Sequence, residues 1–192
     1  MKKNNKKTAI FLSSLLFVSG VAIGVNMEKI ANEFSTVVFA DEEIYNGFKY
    51  VVSDGCVTIT GYTEELDLTN VVIPEEIDGK PVTALGNSAF EGSKVEKVLV
   101  GSNVTTLGDN VFSNCKSLKE LNLGKNVKKL GKKVLASPYY GPVMQITKLI
   151  VSDNIEEVGE NLYGGNSNYQ TQITTLEVPA SVTKVLPVFY NR

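Results

Sequence analysis

The 192-residue sequence contains no histidine and two cysteines, Cys56 and Cys115. The first absence removes Ser-His-Asp and Cys-His nucleophile pairs and every histidine-based metal site. Two cysteines cannot build a Cys₄ zinc site, although in an exported chain they could form one disulfide. No basic block stands out, so nucleic acid is not an expected partner. No charged low-complexity tail suggests a disordered arm. No cofactor or metal site is expected.

The first residues bear on location. "MKKNNKK" is positively charged, and residues 9–25 form an apolar run of 17 residues without a charge. This is the shape of a secretory signal. The run is near the lower limit for a membrane span, which leaves an uncleaved N-terminal anchor as the alternative and as the only expected membrane contact. Val38 and Ala40 fit the small-residue rule for cleavage before "DEE", with Gly20-Val21-Ala22 as a poorer choice. The expected division is therefore a signal segment over 1–40 and an exported chain from Asp41. Residues 1–40 hold five Lys and two Glu, a net of +3 against −2 for the whole chain, so the remainder carries −5.

A nine-residue phrase recurs: "VTALGNSAF" at 82–90, "VTTLGDNVF" at 104–112, "VKKLGKKVL" at 127–135 and "IEEVGENLY" at 155–163. Each has a glycine (Gly86, Gly108, Gly131, Gly159), an apolar residue before it, and a large side chain four residues later (Phe90, Phe112, Leu135, Tyr163). A degenerate fifth copy, "VTKVLPVFY", closes the chain. Upstream of the later copies lie "KVLV", "ELNL", "KLIV" and "TLEV", whose alternation is a strand signature. The in-phase pairs Val98/Val100, Leu121/Leu123, Leu149/Val151 and Leu176/Val178 should point inward. From strand to strand the spacing is 23, 28 and 27 residues (Val98 to Leu121, to Leu149, to Leu176). Units this short cannot bury their own apolar side, but stacked coils can. The fold expected is a mainly β repeat solenoid with short parallel strands, short helical or irregular turns on the back, and the phrase glycine supplying a positive-φ corner. Residues 71–192 make about five repeats. Residues 41–70 make an N-terminal cap, a β-hairpin turning at Asp54-Gly55.

"GYT…VVIPEEIDGKPVTALGNSAFEGS" followed by "FSNCKSLKELNLGKNVKKLG" resembles the BspA-like leucine-rich repeat family. The resemblance runs from about Phe48 to Tyr190. It implies a secreted or surface-bound microbial protein that binds a protein ligand, host extracellular matrix or another cell surface, as an adhesion module. It brings no catalytic residues. The alternative role is a structural or self-associating surface component, because an uncapped last coil would expose a strand edge. An enzyme is disfavoured: the carboxylates Asp153, Glu156 and Glu157 in "SDNIEE" occupy the same phase as "GSNVTT" and "GKNVKK".

Two surfaces are candidates for ligand binding. The first is the outward side of the strand ladder, where Lys97, Leu99, Asn122, Lys148 and Ile150 alternate with the inward pairs, beside Glu120, Thr175 and Glu177. The second comes from two insertions. From plug to next strand start is 6 residues after Phe112, 11 after Leu135 and 10 after Tyr163. The two longer links occupy one phase of consecutive coils, so they should stack at one edge. They would gather Tyr139, Tyr140 and Tyr169, with Asn166, Asn168 and Gln170. The competing role for these loops is a makeshift cap over the open end. "NVT" at Asn103 matches a glycosylation sequon, read as inert in a bacterial chain. Both cysteines are expected as free thiols.

Overall fold

The computed structural model describes residues 42–137, 143–164 and 171–178. Among these residues the chain is all strand and turn, with no helix; the turns on the back of the coils are irregular rather than helical. A hairpin opens it. Strands β1 (Glu43–Tyr45), β2 (Phe48–Ser53) and β3 (Cys56–Tyr62) form an antiparallel meander. The Asp54-Gly55 turn has φ of 52° and 75°, as a two-residue hairpin loop of this hand needs. Asn46-Gly47 makes a second such turn, at 47° and 84°, and adds β1, which the sequence reading did not include. Phe48, Tyr50, Val57 and Ile59 are buried as their alternation predicts.

After the hairpin come β4 (Val71–Val72), β5 (Glu76–Ile77), β6 (Lys80–Leu85), β7 (Lys97–Leu99), β8 (Thr106–Leu107), β9 (Glu120–Asn122), β10 (Lys129–Leu130), β11 (Gln145–Ile150), β12 (Glu157–Val158) and β13 (Gln172–Glu177). They stack as coils, and each coil contributes to two parallel ladders. One ladder runs β4, β7, β9, β11, β13. Its inward residues Val98, Val100, Leu121, Leu123, Leu149 and Val151 are all buried, so the register expected from alternation holds. The other ladder runs β6, β8, β10, β12 and continues into the hairpin, because β3 pairs with β6 in parallel. The sequence reading foresaw one strand ladder. The second consists mostly of two-residue strands just before the phrase glycines, too short to alternate.

Those glycines are not the positive-φ corners expected. The left-handed residue lies two positions later, at Ser88, Asn110, Lys133 and Asn161, with φ between 55° and 57°. Glycine is required for a different reason, the close approach of consecutive coils. A Cβ on Gly131 would sit 2.5 Å from the carbonyl carbon of Gly108, and one on Gly159 would sit 2.5 Å from that of Gly131. No side chain fits there, so the glycines stack as a bare backbone spine. At Gly86, where the hairpin begins the stack, the nearest atom is Ile59 O at 3.2 Å.

The core is a set of columns, one residue per coil. Tyr62, Phe90 and Phe112 stack in one column, with ring centroids 5.5 and 5.6 Å apart, and the plugs Leu135 and Tyr163 are buried in the later coils. Each buried aliphatic contributes roughly 1.5–3 kcal/mol. Between coils, polar side chains stitch the backbone. Asn87 Oδ1 accepts from Asp109 N at 2.8 Å, and Asp109 Oδ1 from Lys132 N at 2.7 Å. Asn103, Asn126 and Asn154 each donate a side-chain amide to a carbonyl of the preceding coil, at 3.1, 2.9 and 3.0 Å. The amide of the Asn103 sequon is thus already engaged in the stack. Both cysteines are free thiols.

Candidate binding face

The ladder of β4, β7, β9, β11 and β13 has an inner side in the core and an outer side facing solvent. Cβ atoms alternate along each strand, so a three-residue strand sends its first and last residues outward. This gives one outward pair per rung: Asn70 and Val72, Lys97 and Leu99, Glu120 and Asn122, Lys148 and Ile150, Thr175 and Glu177. The pairing register sets them in two rows, with Val72 beside Leu99, Leu99 beside Asn122, and Asn122 beside Ile150. Of these, Asn70, Lys97, Leu99, Glu120, Asn122, Lys148 and Ile150, but not Val72, line a shallow open depression of about 220 Å³.

One row is charged. Lys97 Nζ lies 2.8 Å from Glu120 in the same row, and Lys148 Nζ reaches diagonally to Glu177, which stands beside Ile150 in the other row, at 2.8 Å. The hydrogen bond from Lys97, with the positive charges of Lys97 and Lys148, holds the Glu120 carboxyl below its usual range. The hydrogen bond to Glu177 raises Lys148. The other row is largely apolar. Val72 and Leu99 are 52% and 42% exposed, which is unusual for adjacent aliphatics on a sheet face. Asn122 interrupts the row. Its Oδ1 accepts from Gly124 N at 2.9 Å, and its Nδ2 has no partner among the described residues.

The structure therefore brings Lys97, Leu99, Asn122, Lys148 and Ile150 together on one face. Val72 and Asn70 join them and were missed, since a two-residue strand after a turn offers almost no alternation. Tyr139, Tyr140 and Tyr169, with Asn166, Asn168 and Gln170, lie outside the described residues. The bases of their two loops are neighbours: Ser137 Oγ is 3.0 Å from Thr171 Oγ1, and Gln172 N donates to Met144 O at 2.9 Å. Of the carboxylates weighed for catalysis, Glu156 and Glu157 pair with Lys128 and Lys129 of the preceding coil at 3.1 and 3.0 Å, by the other ladder.

The BspA type leucine-rich repeat region matches residues 56–170 in 6 copies, and the chain belongs to that family. The match begins on β3, inside the segment read from sequence as the cap. Among solved structures, a leucine-rich repeat protein from Bacteroides capillosus is 22% identical, with a TM-score of 0.60 over 72% of this chain and 99% of its own. One from Bacteroides ovatus is 19% identical, with a TM-score of 0.54 over 72% of this chain and 37% of its own. At these identities the likeness concerns the fold. No curated protein matches the chain.

Proposed function

We propose that this BspA-type leucine-rich repeat chain is a secreted or cell-surface binding module that takes a protein ligand on the outer side of the β4–β13 ladder. The reading is of an adhesin toward host matrix or another cell, not of an enzyme. The observation that carries it is the pair Val72 and Leu99, exposed aliphatic side chains on the solvent side of a sheet whose inner side already supplies the core, with half-buried Ile150 further along the same row. The charged row beside it offers both signs for orienting a partner. Export is supported by the basic start and apolar run of residues 1–25 and by the small residues Val38 and Ala40. The two insertions that carry Tyr139, Tyr140 and Tyr169, whose bases meet at Ser137 and Thr171, are a second proposed contact region.

The test is a binding screen of the full chain against immobilised matrix proteins and intact cells, with a Leu99→Glu/Ile150→Glu double variant alongside. Saturable binding by the wild type, lost in the variant at an unchanged melting temperature, is the expected result. Equal adhesion by both would refute the assignment of this face.

Self-association is the rival reading. Among the described residues β1 is the edge of its sheet, and Ile44 on it is 60% exposed. Sedimentation across the micromolar range separates the two: a monomer throughout argues against assembly.

A further inference from the structure

We propose that the partner on the outer side of the β4–β13 ladder is the same face of a second copy of this chain, so that the contact is homophilic. The inference rests on reading this ladder as the binding face, and it names what that face meets.

The order of side chains along the two rows points to it. From β4 towards β11 one row reads Asn70, Lys97, Glu120, Lys148, and the other reads Val72, Leu99, Asn122, Ile150. Signs alternate along the first row, so the face is balanced in charge and gives no net attraction to a uniformly acidic or basic partner. It is instead complementary to itself. Two sheets that meet face to face keep their strands roughly aligned, about 10 Å apart. A two-fold axis along the strands does this: each row faces the same row of the other copy, with the order of rungs reversed. Placed midway between β7 and β9, the axis sets Lys97 over Glu120 of the second copy and Glu120 over its Lys97. The same axis sets Val72 over Ile150, Leu99 over Asn122 and Asn70 over Lys148. Other placements fit worse. An axis through β7 or β9 sets like charges face to face, one midway between β9 and β11 sets Leu99 over Glu177, and one along the solenoid sets the charged row over the apolar row.

Lys97 and Glu120 already pair within each copy. Apposition across the axis adds to that pair rather than replacing it, because an ammonium has three donors and a carboxylate about four acceptor sites. The four groups close a ring of alternating sign. Lys148 keeps Glu177, whose rung lies beyond the overlap. Exposed charge pairs are weak one by one, so they select the register, while Val72, Leu99 and Ile150 supply the apolar area that the contact removes from water. The overlap is small. Four rungs at about 4.8 Å and three residues at about 3.3 Å cover roughly 20 Å by 10 Å, well short of the roughly 800 Å² per partner of a stable complex. The pair is therefore weak between free molecules, with a dissociation constant above the micromolar range. It holds where many copies are displayed together on each of two surfaces. It also differs from assembly through the β1 edge, which this closed pair leaves untouched.

The test displays the full chain densely on beads of two colours, at low salt. Wild-type beads should aggregate with one another. Lys97→Glu should disperse them, because it sets carboxylate over carboxylate. Lys97→Glu/Glu120→Lys should aggregate again, since the pair within each copy and the apposition between copies both return with signs exchanged. This double variant should melt as the wild type does. Mixed with wild-type beads it should sort by colour, with contacts between colours at least roughly tenfold rarer than contacts within one, because lysine then faces lysine across the axis. A role for the pair within one copy alone would restore the double variant without sorting. Wild-type beads that stay dispersed, an unaffected Lys97→Glu variant, or free mixing of the double variant with the wild type would each overturn the proposal. If the beads fail while Leu99→Glu/Ile150→Glu still abolishes adhesion to matrix or cells, the partner is wrong and the binding face stands. If adhesion also survives that variant, the functional reading fails as well.

Discussion

Replacing Gly131 by alanine should disrupt the stack at its tightest point. The new Cβ would lie 2.5 Å from both the carbonyl carbon and the oxygen of Gly108 and 2.6 Å from Asp109 N. These are backbone atoms and cannot swing aside. Relief requires the two coils to separate by about 1 Å, since non-bonded carbon atoms rest at about 3.5 Å or more. That separation would break Gly131 N–H to Leu107 O, now 2.8 Å, and Lys132 N–H to Asp109 Oδ1, now 2.7 Å. Two hydrogen bonds at about 1 kcal/mol each, added to overpacking of about 1–3 kcal/mol, give a destabilisation of about 3–5 kcal/mol. For a chain of this size that lowers the melting temperature by roughly 6–20 °C. Gly86→Ala is the internal control. Its nearest contact is 3.2 Å, so adjustment of a few tenths of an ångström suffices and the change should stay within about 1 kcal/mol, partly offset by the stiffer unfolded chain. Thermal unfolding followed by circular dichroism measures both. Gly131→Asn adds a further discrimination. If the glycine served a left-handed backbone, asparagine would be tolerated better than alanine; if it serves close approach, both fail. Equal melting of the Gly86 and Gly131 alanine variants, or rescue by asparagine, would refute the spine.

Leu123→Asp places a charge at an inward position that is 2% exposed and should destabilise by several kcal/mol; a melting temperature within a degree or two of wild type would shift the register by one residue. Asp109→Ala removes the acceptor for Lys132 N–H and should cost about 1 kcal/mol, visible as a lower denaturation midpoint in urea. Burial pushes the Cys115 thiol up from 9.0 to about 11, against the lowering effect of its hydrogen bond with Ser93. The folded state therefore favours the neutral thiol, and this contribution is complete below pH 9 and lost as pH rises to about 11. Wild type should lose stability over that window more steeply than Cys115→Ala; parallel profiles would contradict the account. Thiol titration should find Cys56 reactive in the folded protein and Cys115 only after denaturation, because Cys115 is buried.

Much of this architecture is legible in the sequence, for identifiable reasons. Leu121 and Leu123 flank the polar Asn122, and that alternation fixes which side faces in and which side offers a surface. The phrase from Val104 to Phe112 recurs in phase, and the buried plugs Phe90, Phe112, Leu135 and Tyr163 follow from it; the family match counts 6 copies over 56–170 where the phrase suggested about five over 71–192. What was not legible lies below the resolution of pattern. Thr106–Leu107 is two residues long and cannot alternate, so the second ladder is visible only in its pairing with Lys129–Leu130. Periodicity locates Gly131 but does not say whether a glycine serves φ or close approach; only the distance to Gly108 decides. The true left-handed positions include Lys133, a residue type that carries no such signal. Val72 escaped notice because its strand follows a turn and ends after one outward residue.

The central claim is that the two ladders differ in role, one a binding face and the other the seam that holds the coils. It is tested most directly by placing a bulky charge on each in turn. Leu99→Arg/Ile150→Arg and Thr58→Arg/Thr106→Arg would be compared in the full chain for adhesion to matrix-coated surfaces and intact cells, with melting temperature measured for each. The account predicts adhesion lost in the first pair at an unchanged melting temperature, and adhesion kept in the second pair below its own, lowered, melting temperature. Adhesion kept in the first pair, or lost only in the second, would contradict it.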